Sequence, residues 1–297
     1  MSVQFVKVKS VLNKKKIPDA WFLDDYTLNA YSACSFNCLY CYIRGSKYGF
    51  NMEKKLAVKE NAATLLDKEL TLRVKKNQFG VIVMSSATDP YLQIENKTKL
   101  TRTLLEIILK HKFPVHVITK SDLVTRDLDL LHEINKQAIL PSHLKEKTTA
   151  GVFISFSFST INDKVAKIFE PNATPPTIRL ETLKKFANEK FITGIGLMPL
   201  LPFITDTGNH LEEMYAAFKS HGAKYVMAAP LTLFGDEKHD SKQLILRAIE
   251  KHYPHLLSRY QNWFDKSTGM PAYYHKALNK KTLELCNKYG LQNRILL

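Results

Sequence analysis

Cys34, Cys38 and Cys41 stand three and two residues apart in the run Ala33-Cys34-Ser35-Phe36-Asn37-Cys38-Leu39-Tyr40-Cys41-Tyr42. Three thiolates on one short loop can hold three irons of a 4Fe-4S cube and leave the fourth iron without a protein ligand. An open iron takes a substrate or a cosubstrate. Zinc is the competing reading, but a structural zinc site takes four ligands, and the fourth would have to come from a distant His or from Cys286. The chain has only four cysteines, so this bunching is the wrong distribution for a disulfide framework. Such usage suggests a reducing, cytoplasmic setting.

The elements that must position this loop follow from hydrophobic periodicity. Short β-branched or aliphatic runs at Thr27 to Tyr31, Val81 to Met84, Val115 to Thr119, Val152 to Phe158, Thr193 to Met198 and Tyr225 to Ala229 read as strands. Amphipathic stripes lie between them: Ala62, Leu66 and Leu70; Leu100, Leu104 and Ile108; Leu180, Leu183 and Phe186; Leu211, Met214 and Phe218. Parallel strands joined by helical crossovers satisfy this alternation. The expected fold is α/β, a partial (β/α)6 TIM-type barrel with a C-terminal helical extension. Its expected parts are a basic N-terminal extension over 1–26, the barrel over 27–235, and a helical extension over 236–297 packed on the barrel. The cysteines then follow the first strand, at the strand end where barrel enzymes place their chemistry.

A chain of 297 residues with 45% hydrophobic residues can bury a full core without staples. Its most apolar stretch, Ile195 to Ile204, is too short to span a bilayer and is broken by Gly196, Pro199 and Pro202. No secretory leader is expected from the lysine-rich start. The net charge of +15, with basic clusters at Lys14 to Lys16, Lys54 to Lys59 and Lys280 to Lys281, suits a polyanionic partner such as nucleic acid. It equally suits a surface that only maintains solubility.

At the cysteines the sequence resembles the radical S-adenosylmethionine superfamily, whose signature is three cysteines so spaced with an aromatic before the third. Closer likeness runs over nearly the whole chain: Leu12-Asn13-Lys14, Trp21-Phe22, Thr88-Asp89-Pro90-Tyr91, Leu100-Thr101-Arg102, Thr119-Lys120-Ser121, Ser155-Phe156-Ser157, Glu170-Pro171, Arg179-Leu180 and Pro199-Leu200-Leu201-Pro202 are similar, in the same order, to the spore photoproduct lyase and DNA repair photolyase-like family. The resemblance implies a 4Fe-4S cluster on Cys34, Cys38 and Cys41 whose open iron is chelated by S-adenosylmethionine. It also implies one-electron cleavage to a 5'-deoxyadenosyl radical, and an electron donor such as flavodoxin or ferredoxin.

On these positions Tyr40 is expected to pack near the adenine, and Tyr42 to offer it backbone contacts. Lys120, at a strand end, is expected to face the methionine carboxylate or a cluster-bound anion. Along the fourth strand one parity points into the barrel, and Ser157 is the expected polar contact. Thr88 and Asp89 are expected to bind the amino group or ribose, although Asp before Pro equally starts a turn. Arg179 pairs either with Glu170 or with cofactor. One departure is plain: the lyase carries an extra cysteine after the second strand as hydrogen donor, where this chain has Ser85-Ser86-Ala87-Thr88-Asp89. The substrate class expected first is nucleic acid. The alternatives are radical modification of a protein or small metabolite, or a nucleic-acid-binding protein whose cluster is structural or redox-sensing.

Overall fold

The computed structural model describes residues 2–46, 49, 52, 55–84 and 86–296. Its strands are β1 (Ser2–Val6), β2 (Leu12–Lys14), β3 (Tyr26–Leu28), β4 (Tyr31–Ser32), β5 (Lys55–Lys59), β6 (Ile82–Met84), β7 (Val115–Thr119), β8 (Val152–Phe158), β9 (Ile192–Leu200) and β10 (Tyr225–Pro230). A seven-stranded sheet runs β10-β9-β8-β7-β6-β3-β2. From β3 to β10 every neighbouring pair is parallel, and only β2 runs antiparallel, on β3. Sequence order equals spatial order along the parallel strands, and β10 does not pair with β2, so the sheet curls as a barrel that stays open.

Each crossover helix buries the stripe its sequence displays. Ala62–Lys75 buries Ala62, Leu66 and Leu70; Leu100–Lys110 buries Leu100, Leu104 and Ile108; Pro176–Asn188 buries Leu180, Leu183 and Phe186; Gly208–Ser220 buries Leu211, Met214 and Phe218. The helix Leu128–Gln137 fills the remaining crossover with Leu131 and Ile134. Beyond β10 come the helices Ser241–His252, Leu257–Phe264 and Ala272–Tyr289. The first lies by the Asp163–Phe169 helix, where Phe169 and Tyr253 stack at 6.2 Å. The last packs on β10 and on the Gly208–Ser220 helix.

One feature differs from expectation. The stretch read as one strand, Thr27 to Tyr31, is split: β3 belongs to the large sheet, while β4 joins a second sheet of order β1-β5-β4. Asn29 causes the break, because its amide accepts from Ala87 N–H at 2.9 Å and donates to Ser86 Oγ at 2.8 Å, turning the chain across β6's exit. The segment 1–26 holds β1 and β2, so it contributes strands to both sheets.

Candidate active site

The cysteine loop leaves the small sheet at β4 and returns to it at β5, whose antiparallel pairing (Tyr31 with Val58, Ser32 with Ala57) fixes both ends. Inside the loop, Ala33 and Asn37 turn the backbone through positive φ values of 68° and 58°. Asn tolerates that region and Ala does so only when its surroundings enforce it. The enforcement is visible. Thr88 Oγ1 donates to the Ala33 carbonyl at 2.6 Å, and the Tyr42 hydroxyl donates to the Ser86 carbonyl. Leu39 N–H donates to the Phe169 carbonyl at 2.8 Å, while Asn172 donates through its backbone to the Phe36 carbonyl at 3.2 Å and through Nδ2 to the Ser35 carbonyl at 3.0 Å. Segments following β6 and β8 therefore hold the loop over the strands' C-terminal ends.

Cys38 is buried and Cys34 and Cys41 are half-buried, all three as free thiols near enough to influence one another's charge. Burial pushes the Cys34 thiol up to about 12, with help from Asp89 and Cys41, against backbone N–H donation from Phe36 and Asp89. Burial likewise raises Cys41, opposed by the N–H groups of Ile43 and Arg44, and raises Cys38 with Glu170 next in effect. Thiols so placed keep their protons until a cation replaces them, and N–H donors aimed at sulfur are what a metal-bound thiolate requires. A single ion such as zinc needs donors converging on one point. Among the described residues no three His, Cys, Asp or Glu side chains do so. A cube asks for one thiolate at each of three irons, so these residues fit it.

Below the loop, four donors meet on Glu170. Its Oε1 accepts from the Tyr40 hydroxyl, from Ser159 Oγ at 2.7 Å and from Lys120 Nζ at 3.2 Å, and its Oε2 accepts from Arg179. Burial alone would raise Glu170, but the charges of Arg179 and Lys120, with the Tyr40 and Ser159 hydrogen bonds, hold it at about 2. Lys120 Nζ also donates to Ser157 Oγ at 2.9 Å and lies 5.8 Å from the Tyr40 ring centre. Asp89 accepts from Lys120 N–H at 2.8 Å, Thr119 Oγ1 at 2.7 Å and Tyr91 N–H at 2.8 Å.

The structure thus brings Tyr40, Lys120 and Ser157 together. It places Thr88, Asp89 and Tyr42 against the ends of neighbouring strands, where their side chains secure backbone. Arg179 pairs with Glu170, one of the two partners its position allowed. Ser85, part of the stretch without a thiol, lies outside the described residues. Cys286 is buried on the Ala272–Tyr289 helix, its Sγ 3.7 Å from the carbonyl of Gln292, which bridges to Tyr225 at the opposite end of β10 from the cysteine loop.

The family model of the Radical SAM superfamily matches residues 28–218, well over half of the chain and all of the loop just described. The chain belongs to the radical SAM superfamily. This radical SAM enzyme is similar along most of its length to uncharacterized proteins of Mycobacterium tuberculosis (27% identical, 96% of this chain and 80% of the relative) and of Acidianus two-tailed virus (27%, 94% and 83%). It shares its fold with spore photoproduct lyase. A structure of that lyase with bound AdoMet and dinucleoside spore photoproduct superposes at a TM-score of 0.62, with 16% identity over 97% of this chain and 78% of the lyase chain. A second lyase variant gives 0.64, with 14% identity over 97% and 79%. The superfamily implies S-adenosylmethionine and a 4Fe-4S cluster.

Two residues that brace the cysteine loop were not expected from the sequence. Arg44, three residues after Cys41, donates to the Cys38 and His239 carbonyls. Gln93 closes a ring with Ser35 and Asn172 on the loop's flank. Proximity to the motif pointed to Arg44; nothing local pointed to Gln93. On that flank lies a cavity of about 690 Å³ lined by Ser35, Asn37, Gln93, Lys167, Glu170 and Arg179 among others. None of the three cysteines lines it, so it is separate from the thiol face.

Proposed function

We propose that this radical SAM enzyme holds a 4Fe-4S cluster on Cys34, Cys38 and Cys41, cleaves S-adenosylmethionine reductively, and abstracts hydrogen from a carbon of a nucleic acid. The observation that carries the reading is the single loop of three neighbouring free thiols set over the mouth of an open barrel. When bound, the cluster supplies one electron from a flavodoxin- or ferredoxin-type donor to the sulfonium, whose bond to the 5' carbon breaks to give methionine and the 5'-deoxyadenosyl radical. The chain's own residues bind and orient. An ammonium has three N–H donors; Lys120 directs one at Glu170 and one at Ser157, and the third remains for a carboxylate such as that of the methionine moiety. Tyr40 is fixed by Glu170 as a wall, and Thr88 and Asp89 hold the loop and Lys120 in register.

Nucleic acid is the substrate class supported by the +15 charge and by the fold shared with a lyase whose structure holds a dinucleoside lesion. Anaerobic reconstitution followed by iron, sulfide and paramagnetic resonance analysis tests the ligand set. Cys34→Ala, Cys38→Ala and Cys41→Ala should each lose the cluster and Cys286→Ala should keep it; an undiminished signal in Cys38→Ala sinks the assignment. With dithionite and S-adenosylmethionine, the loaded protein should release 5'-deoxyadenosine slowly, and Lys120→Ala should weaken cosubstrate binding more than loading. A full, reducible cluster that releases none would favour a structural or redox-sensing role.

A further inference from the structure

Arg44 is a buried cation with no carboxylate partner among the described residues. Its side chain is 3% exposed. Nε donates to the Cys38 carbonyl at 3.2 Å, one terminal nitrogen to the His239 carbonyl at 3.1 Å, and the other to Asn37 Oδ1. Every one of these acceptors is neutral, and among the described residues Arg44 has no ion pair. Burying a guanidinium without an opposite charge is expensive, and arginine cannot escape by giving up its proton.

The other buried charges near the loop balance among themselves. Glu170 is shared by Arg179 and Lys120, and Asp89 feels Lys120 as its nearby cation. Two cations thus meet two carboxylates, and Arg44 remains over. Its charge acts on Cys41, favouring the thiolate against the larger effect of burial, and its backbone N–H also addresses that sulfur. The junction around it is closed: Gly45 (φ +79°) lies so near the Phe234 backbone that a Cβ there would come within 2.6 Å of the Phe234 carbonyl. Water has little room to screen the charge.

We infer that Arg44 is the built-in counter-charge of the anionic thiolate-bound cluster and raises its reduction potential. The inference rests on the cluster reading above. Arg44 acts through electrostatics and through the Cys38 carbonyl it positions, without a role as catalytic residue. Adding an electron makes the cluster one unit more negative, so a nearby fixed cation stabilises the reduced form more than the oxidised form.

The test is a redox titration, followed by paramagnetic resonance, of reconstituted wild type, Arg44→Gln, Arg44→Lys and Asn37→Asp, each first assayed for iron and sulfide. Arg44→Gln should lower the equilibrium constant for reduction at least tenfold, which is about 59 mV for one electron. Arg44→Lys keeps the charge and should retain most of the wild-type potential. Asn37→Asp sets a carboxylate against the guanidinium with little change of shape, so it should lower the potential even if Arg44→Gln fails to load. A purely structural Arg44 would change loading or stability while leaving the potential of every loaded variant at the wild-type value, and that result overturns the inference. A wild type that never loads a cluster overturns the reading beneath it instead.

Discussion

Glu170 shows how much one carboxylate can organise. It is fully enclosed, and Arg179, at 1% side-chain exposure, has no other carboxylate partner among the described residues. Removing one member of such a pair leaves the other as an uncompensated buried charge, which costs about 3–5 kcal/mol. Glu170→Gln keeps the shape and deletes the charge, so urea denaturation should show a loss in that range; a loss below about 1 kcal/mol would mean that Arg179 finds another partner. His116 gives a pH signature at the same scale. Burial lowers it to about 4, against the hydrogen bond to the Phe22 carbonyl at 2.8 Å, while its other ring nitrogen lies 2.7 Å from Ser155 Oγ. An unfolded histidine titrates near 6.5. Between about 6.5 and 4 the unfolded chain therefore takes a proton that the folded chain refuses, and the stabilising contribution, complete above 6.5, falls as pH drops through that window by at most about 1.4 kcal/mol per unit. The loss of stability between pH 7 and pH 5 should be smaller in His116→Gln than in wild type.

At the scale of elements, the central strands are tied by a side chain that crosses one of them. Gly194 of β9 is in register with both Tyr225 of β10 and Ser155 of β8, and the Tyr225 ring lies over the glycine so that its hydroxyl meets Ser155 Oγ at 2.7 Å. A Cβ at Gly194 would sit 2.3 Å from the ring. Gly194→Ala should therefore cost about 1–3 kcal/mol by overpacking, and Gly194→Ala combined with Tyr225→Ala should recover part of that cost in the same denaturation assay. The Asp163–Phe169 helix, which delivers Glu170, starts on Asn162, whose Oδ1 accepts from the N–H groups of Lys164 and Val165. Losing that cap in Asn162→Ala should cost about 1 kcal/mol, read as a lower thermal midpoint. Helix stripes such as Leu211, Met214 and Phe218 were visible in the sequence because a 3.6-residue period leaves a local trace. The split of the first strand was not, since it depends on Asn29 meeting Ser86 and Ala87 from a different strand's exit.

For the molecule as a whole, charge is the property with a measurable consequence. The basic clusters do not gather on one element: Lys14 lies on β2, Lys55 and Lys59 on β5, and Lys280 and Lys281 on the last helix, with Lys54 outside the described residues. Lys59 is already committed to the Asn29 carbonyl at 2.8 Å. If nucleic acid is the substrate, binding should weaken with salt at a slope of about −0.7 to −0.9 in log affinity per phosphate neutralised, and bound nucleic acid should alter the rate of 5'-deoxyadenosine formation. Binding that leaves this rate unchanged for every nucleic acid tried would favour a protein or metabolite substrate. Because the sequence after β6, Ser85 to Asp89, holds no thiol, efficient reversal of spore photoproduct is not expected, and reversal that survives Cys286→Ser would show that the hydrogen donor lies elsewhere. No helix among the described residues is long and apolar enough to cross a membrane.

The sequence by itself determined the spacing of the three cysteines, the alternation of strands and helices, and hence the loop at a strand's C-terminal end. Each of these is written in neighbouring residues, where covalent geometry and periodicity limit the outcomes. Tertiary structure alone decided that Tyr40 meets Glu170 across 130 positions and that Arg44 meets His239 across 195. It also brings Arg179 onto Glu170, nine positions before it in the chain. Such pairings have many equally charged or polar competitors along the chain. Which of them forms is set by where the barrel places the ends of its strands.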